Sequence, residues 1–215
     1  DQYRADVFIK EVGERSRKLG LPLLSVMTVR IGNDHGGDVR ADYGYPFRES
    51  FMADNDLAIG RVIEYLSHTP YWKNMAIVIT EDDSQGGVDH VDAHRSILMV
   101  ASPYAKKHYA GHVHYSFGSI FKTMWNSLGI PYLNQYDAGA ADFSDLFTNV
   151  PDYTPYNALP SDLRIFDPQK ALTPLDKKFD WKAFEAGGEF DHPSQMLKDS
   201  KELDQQLKEQ EKRKQ

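Results

Sequence analysis

Two short, mostly apolar runs, LLSVMTVRI (residues 23–31) and MAIVIT (residues 75–80), lie on either side of a segment whose apolar residues recur at helical spacing. Near-continuous apolar runs of this length suit strands buried on both faces, whereas an apolar stripe marks a helix packed on one side. The stripe runs through Phe51, Met52, Leu57, Ile59, Val62, Ile63 and Leu66. Ser50 is the expected cap, acidic residues follow early, and Pro70 stops the pattern. A third run, ILMVASP (residues 97–103), comes soon after. Strand, helix, strand is the pattern of a crossover unit, which demands a parallel sheet. Ile31 and Thr80 are then expected to end at one carboxyl edge, where open α/β sheets collect their ligands.

The rest of the chain organises around that unit. Val7, Phe8, Val12 and Leu19 predict a helix over residues 3–19, closed by Gly20 and Pro22. Residues 115–130 read as a buried helix ending at Gly129, and residues 135–191, rich in Pro, Tyr, Asn and Asp, as an irregular segment wrapping the domain. Residues 194–215 form a polar helical pattern with a thin seam of Met196, Leu197, Leu203 and Leu207 and a basic tail. Such a run is a solvated, peripheral helix or a coiled-coil partner. The division expected is an α/β domain over 1–150, a wrapping segment over 151–193 and a polar helix over 194–215.

Composition narrows the partners. A net charge of −7 with no clustered basic surface argues against general nucleic-acid binding. No apolar run approaches the ~20 residues of a membrane-spanning helix, and the opening residues DQYRADVFIKEV do not have the form of a signal peptide. With no cysteine, a transition-metal site has only imidazole and carboxylate to draw on.

Chemistry concentrates in VITEDDSQGGVDHVDAHRS (residues 78–96). Asp82 and Asp83, adjacent at a strand end, repel each other unless a cation or protons intervene. Asp89, His90, Asp92 and His94 follow, an oxygen and imidazole set favoured by Zn, Mn or Fe, with Ca admissible if few imidazoles take part. Gly86 and Gly87 let the chain fold back over an ion. Residue by residue, the simpler explanation is a solvated acidic loop whose histidines pair locally. The cluster as a whole favours a metal, because Asp34 and His35 form a second Asp-His element at the matching edge of the first apolar run. His112 and His114 read as exposed loop residues, and His68 as a structural residue at a helix end. Ser116 and Ser119 lack the G-x-S-x-G elbow of a serine hydrolase, and His108 and His192 suggest nothing specific.

IGNDHGG, the run from ADNDLAIGRVIEYLSH through TEDDSQGGVDHVDAHRS to ILMVASPYAKK, and NQYDAGAAD together resemble the bacterial phosphoesterase family. That family includes phospholipase C-like and acid phosphatase-like enzymes and lies within the alkaline phosphatase superfamily. The resemblance runs from near the start to about Phe147. It implies an α/β, three-layer sandwich with a mostly parallel sheet, alkaline phosphatase-like and incomplete in this chain. It also implies metal-dependent hydrolysis of phosphate monoesters or diesters through a transiently phosphorylated Ser or Thr. Asp82 and Asp83 would take the superfamily's Asp-His metal position, with Asp in place of His. Asp34 and His35 would serve the other metal, completed by His94 or His90. The metals implied are divalent Zn, Mn or Ca, and His35 or a loop histidine such as His90 would give a proton to the leaving group.

Two departures accompany the resemblance. Gly32 and Gly36 flank the Asn-Asp-His core where the family usually reads Pro and Thr, and no residue matches the nucleophile. The expected partners are therefore a phosphate-ester substrate and the missing N-terminal half of the same enzyme, so that this fragment alone is inactive. Family analogy places the enzyme in the periplasm or outside the cell. The alternatives are a non-catalytic metal- or partner-binding module on the same scaffold, and a sulfatase-like or phosphomutase-like reaction at the same site.

Overall fold

The computed structural model describes residues 1–17, 20, 22–82 and 96–171. Its core is a pair of helices, α1 (Gln2–Arg17) and α2 (Glu49–Ser67). Ala5 and Val12 of α1 meet Ala58, Val62 and Leu66 of α2, and Phe8, Leu23, Ile31, Tyr65, Met75 and Ile77 close around them. Burying each large aliphatic side chain here contributes about 1.5–3 kcal/mol relative to exposure, so helical periodicity finds its reason in this one interface.

The ends of α2 differ in part from expectation. Arg48 occupies the N-cap, and Ser50 lies buried inside the first turn. Its Oγ accepts the Phe47 N–H at 2.9 Å, which ties down the entering chain instead of capping the helix. At the other end His68 has the structural role expected of it. Its N–H reaches the Glu64 carbonyl at 3.2 Å and its Nδ1 lies 2.8 Å from the same oxygen. Pro70 opens a 3-10 turn, Pro70–Asn74, that buries Trp72.

Strand β1 (Ile77–Thr80) pairs with β2 (Leu98–Ala101), Ile77 opposite Ala101 and Thr80 opposite Leu98. The ladder is antiparallel, and it is the only sheet among the described residues. Residues 22–31 join no ladder among the described residues. Leu23 and Ile31 reach the helical core, but Leu24, Val26 and Val29 are 55%, 42% and 37% exposed. This run therefore has the composition of a two-faced strand without the cover or the pairing of one.

Beyond the ladder, α3 (Phe117–Leu128) ends at Gly129, in the left-handed conformation the sequence predicts. The helix is less buried than expected, with Phe117, Phe121 and Leu128 on the surface. A short helix, α4 (Gln135–Gly139), is fastened to it by Asp137. The buried Asp137 carboxylate accepts the Trp125 indole N–H at 2.9 Å and the Leu133 and Asn134 N–H groups at 3.0 and 2.9 Å.

The segment after α4 is tied to earlier parts of the chain at several points. Leu146, Thr148 and Asp152 exchange main-chain hydrogen bonds with Lys106, Tyr104 and Pro103, and Lys107 pairs with Asp152. Tyr156 N–H donates to Ser67 Oγ at 2.9 Å, and its ring meets Trp72 edge-on at 5.9 Å. The last described helix, α5 (Pro168–Ala171), follows Phe166, fully buried against Tyr45 at 5.2 Å. No described helix is long and apolar enough to cross a membrane. The expected polar helix over 194–215 lies outside the described residues.

Leu66→Ala is expected to lower the unfolding free energy by about 2–5 kcal/mol, because Leu66 is buried in the cluster formed by α1 and α2. Leu159→Ala, at a side chain that is 85% exposed, should change it by less than about 0.5 kcal/mol. Urea unfolding of both variants measures the difference.

Candidate metal centre

The Asp-His element of the first loop forms a 3-10 turn, Asn33–His35. Gly36 N–H closes it on the Asn33 carbonyl at 3.0 Å. Gly36 has φ +77° and ψ −171°, a positive-φ conformation that glycine adopts without penalty. Gly37 follows with the Phe51 ring so close that an added Cβ would lie 2.7 Å from Phe51 Cζ. The chain leaving the turn is thereby pressed onto α2.

The chain entering the turn is held by charge. The Asp1 carboxylate accepts the Asn33 N–H at 2.8 Å and the Gly32 N–H at 3.3 Å, and Asn55 Nδ2 reaches the Ile31 carbonyl at 3.2 Å. Behind it sits Asp54, fully buried on α2. Its carboxylate takes the Asp1 amino group at 2.6 Å, Gln2 N–H at 3.3 Å, Gln2 Nε2 at 2.8 Å, Tyr45 O–H at 2.9 Å and the side-chain amide of Asn33. Burial, and then the Asp54 charge and hydrogen bond, push the Tyr45 phenol well above its ordinary value.

Sequence reasoning missed this network. Asp54 reads there only as one of several early acidic residues, favourable to the helix dipole. The signal was its position: Phe51, Asp54, Ala58 and Val62 share the inward face of α2, so an acid stands where the stripe calls for an apolar residue.

Asp34 differs from its neighbours. Its Oδ1 is buried and has no hydrogen-bond partner among the described residues. A buried carboxylate oxygen without a donor is costly unless a cation or proton meets it. Imidazole and carboxylate side by side suit a borderline divalent ion, so Asp34 and His35, which is half-buried, fit the group that the sequence suggests.

The second element starts at the end of β1. Asp82, exposed, follows Thr80 and Glu81 directly. Thr80 Oγ1 donates to the Ile97 carbonyl at 2.9 Å, and Ser96 Oγ to the Glu81 carbonyl at 2.7 Å. Both ends of the acidic connection between β1 and β2 are thus stapled together at one end of the ladder. Asp83, His90 and His94 lie outside the described residues, as do Asp89 and Asp92. Among the described residues no three His, Asp or Glu side chains gather as a metal-holding group. Ile31 and Ile77, upstream of the two elements, do pack on the same helical core.

Of the other histidines, His192 lies outside the described residues. His108, His112 and His114 are exposed, and Ser119 Oγ accepts the Ser116 N–H at 3.1 Å at the start of α3, a structural use of both serines. No family model, curated protein or solved structure matches this chain.

The phenol of Tyr45 supplies a pH test of the buried network. Its folded-state value is raised, so the stability linked to it is complete below the ordinary tyrosine value, about 10, and is lost as pH rises beyond it. Tyr45→Phe removes that linkage. Urea unfolding of the two proteins at neutral pH and at alkaline pH should show the wild type losing more stability than the variant over that interval.

Proposed function

We propose that this chain carries the metal-binding part of a phosphoesterase, hydrolysing phosphate monoesters or diesters, on an α/β scaffold of the alkaline phosphatase type. The observation that supports this reading most is the buried Oδ1 of Asp34, without a partner among the described residues, on a turn shared with His35. The resemblance of IGNDHGG and of the TEDDSQGGVDHVDAHRS run to the phosphoesterase family gives that pair its context.

In this reading Asp34 and His35 hold one divalent ion, Zn, Mn or Ca, while Asp82 and Asp83 hold the other, with His90 or His94 completing the set. Ions bound there would supply Lewis-acid polarisation of the phosphoryl oxygens and offset the charge that develops on them. The chain's own residues orient and protonate. The carboxylates fix the position and charge of the site, and the 33–35 turn holds Asp34 with its Oδ1 buried. His35 or His90 gives a proton from its imidazolium to the leaving oxygen as the P–O bond breaks. The attacking hydroxyl is that of a Ser or Thr outside this chain. Its oxygen forms the new bond to phosphorus as its proton passes to solvent, and water later cleaves that bond, releasing phosphate from a monoester or a phosphate monoester from a diester and restoring the hydroxyl. The substrate is thus a phosphate ester. The missing N-terminal half of the same enzyme supplies the nucleophile, in the periplasm or outside the cell.

Calorimetric titration with Mn2+ and Zn2+, paired with hydrolysis of 4-nitrophenyl phosphate and bis(4-nitrophenyl) phosphate, tests the reading. The 215-residue chain is expected to bind metal and turn over little, and Asp34→Asn to weaken binding by at least about tenfold. Absence of metal binding in the wild type would overturn the metal site. Bound metal without turnover in a protein that also carries the nucleophile would favour a non-catalytic module.

A further inference from the structure

We infer that Asn33, anchored by Asp54, is a positioning residue for the Asp34–His35 metal ligands, an inference that rests on the metal reading above. Asn33 is buried and held at two points. Its main-chain N–H goes to the Asp1 carboxylate at 2.8 Å, and its side-chain amide goes to the Asp54 carboxylate. Asp34 is the next residue. Both donors of the residue before it are committed to Asp1 and Asp54, and Asp34 Oδ1 is buried without a partner among the described residues.

Two donors share one oxygen of the Asp54 carboxylate: Tyr45 O–H and the Asn33 side-chain amide both go to Asp54 Oδ2. Tyr45 belongs to the 40–45 turn, whereas Asn33 belongs to the 33–35 turn itself. Of the two, only Asn33 connects Asp54 directly to the peptide that carries Asp34. Loss of either donor weakens the buried network, but only loss of Asn33 frees the ligand-bearing turn. Groups that orient metal ligands in this way set affinity without touching the ion, and their removal typically costs about 10–100-fold in binding.

The test compares the full chain with Asn33→Ala and Tyr45→Phe. Three readouts are needed: Mn2+ affinity by calorimetry, stability by urea unfolding, and hydrogen–deuterium exchange over residues 32–36. Asn33→Ala is expected to bind Mn2+ about 10–100-fold more weakly and to exchange faster in that segment. Tyr45→Phe should lose stability while keeping wild-type affinity and wild-type exchange there. If Asn33→Ala fails to fold, Asn33→Gln, which keeps the amide but shifts it by one methylene, is measured in its place. Wild-type affinity together with wild-type exchange in the Asn33 variant would overturn the inference. Failure of the wild type to bind Mn2+ would instead refute the metal reading, while the exchange comparison still decides whether Asn33 holds the turn.

Discussion

A single carboxylate, Asp54, sets the terms for the first half of this molecule. It is fully buried, and a buried charge is tolerated only when hydrogen-bond donors surround it. The chain meets that demand with the amino group of Asp1, both nitrogens of Gln2, the amide of Asn33 and the phenol of Tyr45. These donors come from widely separated positions. Satisfying one charge therefore draws the start of α1, the 33–35 turn and the 40–45 turn onto the same stretch of α2. Apolar packing of Ala5 and Val12 on Ala58, Val62 and Leu66 supplies area but little direction. The hydrogen bonds supply the direction.

That arrangement gives Asp34 its character. A carboxylate on a loose surface turn would be hydrated and ordinary. On a turn held at Gly32 and Asn33 by Asp1, and followed by Gly37 against the Phe51 ring, one oxygen is kept away from water and from any described donor. The β1–β2 ladder acts similarly on the other acidic element. By pairing Thr80 with Leu98 and stapling Thr80 and Ser96 across the strand ends, it confines where Asp82 begins its run. Tyr156 and Phe166 then clamp the wrapping segment over the end of α2 and over Tyr45.

The helices were legible in the sequence because a stripe repeating every three or four residues has one economical burial. The spacing predicts α1, α2 and α3 to within a few residues, and Gly129 marks the end of α3 by its left-handed backbone. Ser50 misled because a serine near a helix start resembles a cap, while the real bond runs back to Phe47. The antiparallel sense of β1 and β2 was not legible, since a long connection leaves strand direction open. The 23–31 run shows a further limit: apolar composition marks a segment suited to a sheet interior, but a ladder also needs a neighbour. Asp54 was hidden for a different reason. Its identity suggested solvent, and only its register on the helix pointed inward.

The central claim is that the turn bearing Asp34 and His35 and the strand end bearing Asp82 serve one divalent-cation pocket. Paramagnetic broadening by Mn2+, read residue by residue in the amide NMR spectrum, tests it most directly. The signals of Gly36 and of Glu81 and Asp82 should fade together, at the same metal concentration, and recover when a chelator is added. Broadening at one of the two places alone, or at neither, would contradict a shared pocket.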